Sequence, residues 1–332
     1  MGHPFRNRPA CSGRGTAGGR TSLSATGGAI YNRHNRDHAA RGAFPGEGRT
    51  TVANLVLVGV SALWGATFFL IHDAVAHVTP FWFLAVRFVA AAGLLAAWAG
   101  LPRRLWWRAG LAGSWLFAGY ALQTYGLQSV GADPAAFLTS LSVLLVPLGE
   151  WIVWRRRPAP RMLAAVLLAA GGLWLLLTPG GQWTVGTWLT LGCAVAFAAQ
   201  ILATHGTEPR DILGFTAIEL SVVALGSTLG AVLTVPHPSL AAPPIAWEAA
   251  AFCALFATVL AYLLQTWAQT RTPPTHAALI FTLEPWFAVL FTALFTHRGL
   301  APAAWAGAGL MFAALGLAEW RPRARIADVP SS

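Results

Sequence analysis

The chain contains no lysine, and all 22 of its basic residues are arginine. Alongside heavy alanine and glycine use, this points to a GC-rich coding bias more than to a physical requirement. Charge of either sign is scarce: only 10% of the 332 residues are charged, whereas a soluble globular chain carries about 25%. With 56% hydrophobic residues, a soluble domain of this length is excluded, because its interior could not hide so much apolar sequence; lipid is the implied solvent. Cysteine is rare too. Cys11 lies in the N-terminal stretch, while Cys193 and Cys253 fall inside apolar segments. That is neither a disulfide framework nor a metal-ligand spacing, and it reads as small buried hydrophobes. There is no phosphate-binding loop, so no ATP-driven step and no cofactor are expected.

Residues 1–50 lack any apolar run and are rich in Gly, Arg, Ser and Asn. An ordinary secretory signal is therefore excluded, and a disordered basic tail is expected, with translation from a misassigned upstream start as the competing reading. The formal net charge of +10 would suit nucleic acid. The arginines, however, sit in this tail and in short loops, as membrane topology demands, so no nucleic-acid partner is expected.

Apolar stretches able to cross about 30 Å of hydrocarbon recur down the chain. They lie near 52–71, 80–100, 107–128, 133–154, 161–178, 186–205, 212–235, 246–268, 275–296 and 301–320. Pro and Gly punctuate the gaps, as at Thr79-Pro80, Leu101-Pro102, Pro158-Ala159-Pro160 and Pro273-Pro274. Trp82, Trp106, Trp107, Trp154, Trp183, Trp247 and Trp320 cluster at the ends, as an aromatic belt would. Arginine alternates: the second gap holds Arg103, Arg104 and Arg108, the fourth Arg155, Arg156, Arg157 and Arg161, the sixth Arg210 and the eighth Arg271. Arg321, Arg323 and Arg325 follow the last span. The odd gaps hold none except Arg298 in the ninth. The positive-inside rule then puts both termini and the even gaps in the cytoplasm.

Within this pattern the chain repeats itself. Tyr120, Leu122, Gln123 and Thr124 reappear 142 positions later as Tyr262, Leu264, Gln265 and Thr266, and Ala135, Ala136 and Leu141 as Ala277, Ala278 and Leu283. Shared apolar composition does not produce a common Tyr-x-Leu-Gln-Thr run, because Gln is costly and rare in hydrocarbon. An offset of five spans is odd, so the second copy enters the membrane in the opposite sense. The predicted fold is an all-α membrane protein of ten transmembrane helices, built as two inverted five-helix repeats over 51–180 and 181–320, with cytoplasmic tails at 1–50 and 321–332.

Several stretches resemble the EamA family of the drug/metabolite transporter superfamily. They are Leu63-Trp64-Gly65-Ala66-Thr67-Phe68, Arg87-Phe88, the run Ala121–Gln128, Ala135–Leu141 leading to Val146-Pro147, Leu264–Gln269 and Ala277–Pro285. The likeness covers about 52–320. It implies ten helices, a bacterial inner membrane, and export of small metabolites or drugs driven by an ion gradient or solute potential. Two departures stand out. Thr296-His297-Arg298-Gly299 replaces the Gly-Glu usual after the ninth span, and Glu150 stands where an apolar or small residue is usual.

Polar groups at membrane depth are the candidate site. Glu284 lies about nine residues into the ninth span, ~14 Å from its start. A carboxylate there must pair, face water or hold a proton. Pro285 frees a carbonyl one turn earlier and favours a broken helix. Glu284 reads as a protonation or substrate-amine site, or as a structural residue bonded to a neighbouring helix. Its counterpart at the 142-residue offset is Ser142. Arg87, in the second span, must find an anion or reach the interface, because Arg cannot shed its charge. Two matched polar stripes, Gln123, Thr124 and Tyr125 with Gln265, Thr266 and Trp267, lie at similar depth to Trp64, Thr67, Thr139, Ser140 and Thr282. They suit a cavity for varied small amphiphiles, or interhelical hydrogen bonds. Glu150 reads as an interfacial ion pair with nearby arginines, and Glu219 stays open. Gly226-x-x-x-Gly230 reads as helix packing, and His72, Asp73 and His77 as a solvated loop rather than a metal site.

These features predict a secondary active transporter exporting small metabolites or drug-like amphiphiles by alternating access, with the proton as a candidate coupling ion. Its partners are a small-molecule substrate and the bilayer. The competing class is an intramembrane enzyme acting on a lipid-soluble substrate. That class requires paired Asp residues or a Ser with a His base at membrane depth, and no span core holds an Asp.

Overall fold

Thr79-Pro80 shows how punctuation becomes structure. Thr79 is extended, its hydroxyl accepts from the Trp82 N–H at 3.4 Å, and Pro80 takes the first helical position, where no donor is needed. The same helix stops at Gly100, whose φ of +64° is open to glycine at little cost. The computed structural model describes residues 47–130, 132–155, 157–176, 184–234, 242–297 and 301–319. Residues 1–46 with Cys11, Arg156, Trp183, Arg298, Gly299 and everything from Trp320 on lie outside the described residues.

Among the described residues the chain is helical, with no strand. In order come α1 (Glu47–Ala74), α2 (Pro80–Ala99), α3 (Trp106–Leu127), α4 (Ala132–Ser140), α5 (Ser142–Trp154), α6 (Pro160–Leu176), α7 (Val185–Thr204) and α8 (Ile212–Thr234). Then follow α9 (Pro244–Phe252), a π-helical stretch (Cys253–Leu260), α10 (Ala261–Gln269), α11 (Pro274–Phe281), α12 (Leu283–Thr296) and α13 (Pro302–Glu319). The chain is a multi-pass membrane protein. Seven helical stretches are long and apolar enough to cross a membrane: Thr51–Ala74, Pro80–Ala99, Ala135–Trp154, Val185–Thr204, Pro209–Thr234, Pro244–Gln269 and Pro274–Phe295. The expected ten is not reached on that measure. Pro160–Leu175 and Pro302–Ala318 are apolar but shorter, and α3 is diluted by Arg108, Ser114, Gln123 and Thr124.

The repeat is visible in the element boundaries. α3 ends at Leu127 and α10 at Gln269; α4 begins at Ala132 and α11 at Pro274; α6 begins at Pro160 and α13 at Pro302. Each pair is 142 residues apart. So are Arg155 and His297, left-handed at φ 55° and 53°, which end α5 and α12. These are the two non-glycine residues at positive φ among those described. Packing follows the same shift. α3 packs on α7 as α10 packs on α1; α3 packs on α8 as the π-helical stretch packs on α2; α6 and α13 pack on each other.

Contacts at the helix ends fall into two sets. Arg104 of the second gap pairs with Asp211 of the sixth, one contact being Nη1 to Oδ2 at 2.9 Å, and Arg108 donates to His205 O and Gly206 O. Thr272 of the eighth gap donates to Asn54 at the start of α1, and Thr275 to Glu150 at the end of α5. The other set joins odd gaps. His72 Nδ1 lies 3.3 Å from Leu127 O, and Trp82 meets Trp247 edge-on at 5.0 Å. In these contacts even gaps touch even gaps and odd gaps touch odd.

Large apolar side chains face outward, among them Leu55, Trp98, Trp107, Leu167, Trp188 and Leu233, which reverses a soluble protein and suits lipid. Trp82 departs from the expected belt. It is buried, because its ring fills the contact with Trp247. Cys193 and Cys253 are buried as expected. A Cβ at Gly226 or Gly230 would meet the rings of Phe117 and Phe81 at 2.9 and 2.8 Å, so this pair seats aromatic side chains.

Candidate functional site

Two broken helices build the site. Pro285 has no N–H to give Phe281 O, and α11 ends at Phe281. The chain tightens there: the Thr282 N–H reaches Leu279 O at 3.2 Å, and the Thr282 hydroxyl donates to the same carbonyl at 2.7 Å. In the first copy the break falls at Leu141. Its N–H bonds Leu138 O, and the Thr139 and Ser140 hydroxyls donate back to Ala135 O and Ala136 O. Such back-bonds bend helices. The matched residues Ser142 and Glu284 therefore emerge side by side with the breaks, and both line one cavity.

That cavity encloses ≈ 660 Å³ not filled by atoms, its open mouth included. Its walls come from both copies. Tyr120 and Tyr262, counterparts in the repeat, meet there: the Tyr262 hydroxyl donates to Tyr120 Oη at 2.9 Å. Arg87 is 1% exposed. It donates Nε–H to Thr258 Oγ1 at 2.7 Å and Nη2–H to Tyr120 Oη at 3.3 Å and to Ala257 O at 3.4 Å, leaving Nη1 without a partner among the described residues. Its guanidinium also lies 4.9 Å from the Tyr120 ring centre. Ala257 O takes a second bond, from the Trp64 indole at 2.9 Å. Ala257 lies in the π-helical stretch, and two side chains from other helices claim its carbonyl. Gln123 donates to Thr139 Oγ1 at 3.3 Å.

The charged groups do not pair. Glu284 has no hydrogen-bond or ion-pair partner among the described residues, and Arg87 bonds only hydroxyls and a carbonyl. Arg87 and Glu284 do not bridge, although both line the same cavity. Aromatic rings supply the apolar wall: Trp64 sits 5.4 Å from both Tyr262 and Phe281, and Phe197 meets Tyr120 edge-on at 5.4 Å. The arrangement can hold a small molecule that carries a few polar groups on an apolar body.

Of the residues expected from sequence, Trp64, Thr67, Arg87, Gln123, Thr139, Ser140, Gln265 and Glu284 line the cavity. Thr124 is buried elsewhere, and Tyr125 packs edge-on against Phe81 at 5.2 Å. Thr266 accepts from Thr216 at 3.1 Å, and Trp267 lies under Arg271 at 4.3 Å. Thr282 is spent on its own helix end. Sequence reasoning missed Tyr120, Tyr262, Gln200, Phe68, Ile71, Phe197, Ile201 and Phe281 as wall residues. The tyrosines were findable, since each lies three residues before a lining Gln and so shares its face. Glu219, left open, is fully buried behind the cavity with Gln200 Nε2 at 2.7 Å. Glu150 holds the Thr275 hydroxyl. His77 Nδ1 lies 3.0 Å from Asp73 O, within its own turn.

Residues 51–178 and 184–319 each match the profile of the EamA-like transporter family. An uncharacterized transporter of Archaeoglobus fulgidus is 32% identical over 265 residues, covering 79% of this chain and 84% of that one. An uncharacterized transporter of Bacillus subtilis, YwfM, is 27% identical over 180 residues, covering 52% and 60%. A solved crystal structure superposes with a TM-score of 0.66 at 18% identity, over 81% of this chain and 97% of its own, which shows the shared fold. Two tandem copies of the family's unit, closing on a cavity between them, make the chain a member of the EamA-like transporter family.

Proposed function

We propose that the chain is a secondary active transporter that exports small metabolites or drug-like amphiphiles by alternating access, coupled to protons through Glu284. In this reading it has ten spans as two inverted halves, in a bacterial inner membrane, with both termini cytoplasmic. One observation carries it: Tyr120 and Tyr262, 142 residues apart, hydrogen-bond to each other on the cavity wall. A residue touches its own repeat counterpart only near the axis that relates the copies. A site on such an axis lets the halves exchange conformations and turn an outward cavity into an inward one. The inverted sense is supported by the contacts that join even gaps to even and odd to odd across an odd offset. α6 and α13, at 17 and 18 residues, are within the range that spans a bilayer. The arginines of the even gaps support a cytoplasmic placement of that end.

The test is a substrate screen in proteoliposomes with and without a proton gradient, comparing wild type with Glu284→Gln. A gradient should accelerate wild-type transport roughly tenfold or more, equivalent to about 1.4 kcal/mol or more off the barrier. Glu284→Gln should keep exchange without a gradient and lose the acceleration; an unchanged response removes the proton role. Single cysteines placed at 157 and 210 should react from the same side of sealed vesicles. Labelling from opposite sides would sink the inverted arrangement.

A further inference from the structure

A polar chain runs from the cavity wall into the core behind it. Gln265 lines the cavity, and its Nε2–H donates to Gln200 Oε1 at 3.5 Å. Gln200 Nε2 donates to Glu219 Oε1 at 2.7 Å and to Thr204 Oγ1 at 3.1 Å. Glu219 is 0% exposed and does not line the cavity. Both ends of the chain are stranded: Glu219 Oε2 and Gln265 Oε1 are buried acceptors without partners among the described residues.

An ionised carboxylate only accepts hydrogen bonds, whereas a protonated one also donates. A side-chain amide has one donating and one accepting end and can turn end for end. With Glu219 ionised, Gln200 must aim its N–H₂ at Glu219 and its carbonyl at Gln265. Gln265 then answers with N–H₂ and leaves its carbonyl over. With Glu219 protonated the order reverses. The carboxyl O–H donates to Gln200 Oε1, Gln200 Nε2 donates to Gln265 Oε1, and Gln265 Nε2 is left over. This second arrangement satisfies the stranded Gln265 acceptor. The Thr204 hydroxyl, which donates to the Gln200 backbone carbonyl at 3.0 Å, accepts from Gln200 Nε2 in the first arrangement and turns its proton to Gln200 Oε1 in the second.

The elements packed against α8 carry these titratable or charged groups: Arg87 on α2, Arg108, Tyr120 and Tyr125 on α3, Tyr262 on α10, and Arg103, Arg104, Arg210 and Asp211 near its start. Of these, Tyr262 is within electrostatic reach of Glu219. Arg87 is bonded to Thr258, Tyr120 and Ala257, and Arg104 to Asp211. Glu219 has no cationic partner among the described residues.

We propose that Glu219 is a proton-operated selector that sets the hydrogen-bonding character of the cavity wall through Gln200 and Gln265. Ionised, it leaves the Gln265 carbonyl unpaired beside the cavity; protonated, it leaves the Gln265 amide so. Glu219 is a positioning residue that never touches the substrate. The selected class is an amphiphile bearing an N–H or O–H donor, held when Glu219 is ionised and released when it is protonated. A ligand that binds one state better shifts the equilibrium by its differential affinity. The transport consequence rests on the exporter reading above: such a substrate loads from the less acidic side and leaves to the more acidic one. The switch itself does not rest on it.

Infrared difference spectroscopy on the full chain in lipid nanodiscs, with glutamine side-chain carbonyls labelled and the proton itself as probe, tests the switch without transport. In wild type, a pH step should give a carboxyl band and, with it, a shift of glutamine carbonyl bands. Glu219→Gln should lose that carboxyl band and the glutamine shift together. Gln200→Met should keep the carboxyl band and lose the shift of Gln265. The proposal is overturned if Glu219→Gln leaves both signals, if no Glu219 band titrates over the range where the protein is folded, or if the Gln265 shift survives Gln200→Met. Should Glu219→Gln fail to assemble, the Gln200→Met result decides alone. Failure of export with an intact infrared response would count against the exporter reading and leave the switch standing.

Discussion

Alanine at Gly65 is expected to cripple the protein, and alanine at Gly59, six residues earlier in the same helix, to stabilise it. The two glycines differ only in what faces them. Gly59 is exposed toward lipid, and a Cβ there meets nothing within 4 Å. Removing a glycine from a helix interior at no packing cost gains about 0.5–1 kcal/mol. A Cβ at Gly65 would lie 2.6 Å from Glu284 O and from Phe287 Cβ, and 2.9 Å from Ala288 N. Two of those three atoms are backbone, so no side chain can swing aside. α12 itself must retreat, and Glu284 leaves the cavity wall with it. Overpacking of this kind costs about 1–3 kcal/mol for a single methyl and more for valine. Thermal melting in nanodiscs should show Gly59→Ala above wild type, Gly65→Ala below it and Gly65→Val lower still. Transport by Gly65→Ala should fall about tenfold, the equivalent of ~1.4 kcal/mol at the site. Equal behaviour of the two alanine variants would show that α1 and α12 do not cross so closely.

The copies of the repeat were legible because the polar run Tyr-x-Leu-Gln-Thr is too costly in lipid to recur by chance, and the helix boundaries obey the same offset. The break before Glu284 was legible too, since Pro285 removes a donor wherever it sits. Its partner at Leu141 was not. The proline of that copy, Pro147, lies further on inside α5, and hydroxyl back-bonds from Thr139 and Ser140 accompany the bend instead. The π-helical stretch gave no local sign either. Its carbonyl at Ala257 takes donors from Trp64 and Arg87, 193 and 170 residues away, which no local pattern announces. Ten spans are read from the sequence, and seven helical stretches among the described residues are long and apolar enough to cross a membrane; α6 and α13 are too short and α3 too polar for that measure.

For the site, depth was readable and direction was not. Gln123 faces the cavity while Thr124 and Tyr125 turn away, because each step along a helix rotates the side chain by about 100°. The same rotation takes Thr266 and Trp267 away from Gln265. Apolar wall residues such as Phe197 and Ile201 resemble any lipid-facing residue until the fold shows what they face. Glu219 and Gln200 carried the usual signal of polar groups in an apolar span. What the sequence could not reveal is that they are joined, because 19 residues and a loop separate them.

Arg87→Lys is expected to be among the most damaging of conservative changes. Arg87 is the largest fully buried side chain among the described residues, and its charge persists at any depth. Its fork joins three partners from two elements: Thr258 and Ala257 on the π-helical stretch, and Tyr120 on α3. Tyr120 in turn accepts from Tyr262, so the guanidinium ties the first copy to the second at the wall between them. An ammonium is a point donor on a flexible stem. It can satisfy one of these acceptors well, but it cannot hold all three at their present spacing. Hydrogen bonds from charged groups contribute about 1.5–3 kcal/mol each, so losing even one should lower stability by about 2 kcal/mol. Arg87→Met, which removes the charge and keeps the stem, should be better tolerated in melting than Arg87→Lys, because it leaves no half-satisfied ion in the core. Both should lose transport, since the Arg87 guanidinium lines the cavity and its Nη1 has no partner among the described residues. A double-mutant cycle with Thr258→Val measures the link directly: a coupling energy near 1 kcal/mol or more is expected for groups 2.7 Å apart. A cycle that closes to zero, or an Arg87→Lys protein that melts and transports like wild type, would show that the guanidinium fills space without holding the halves together.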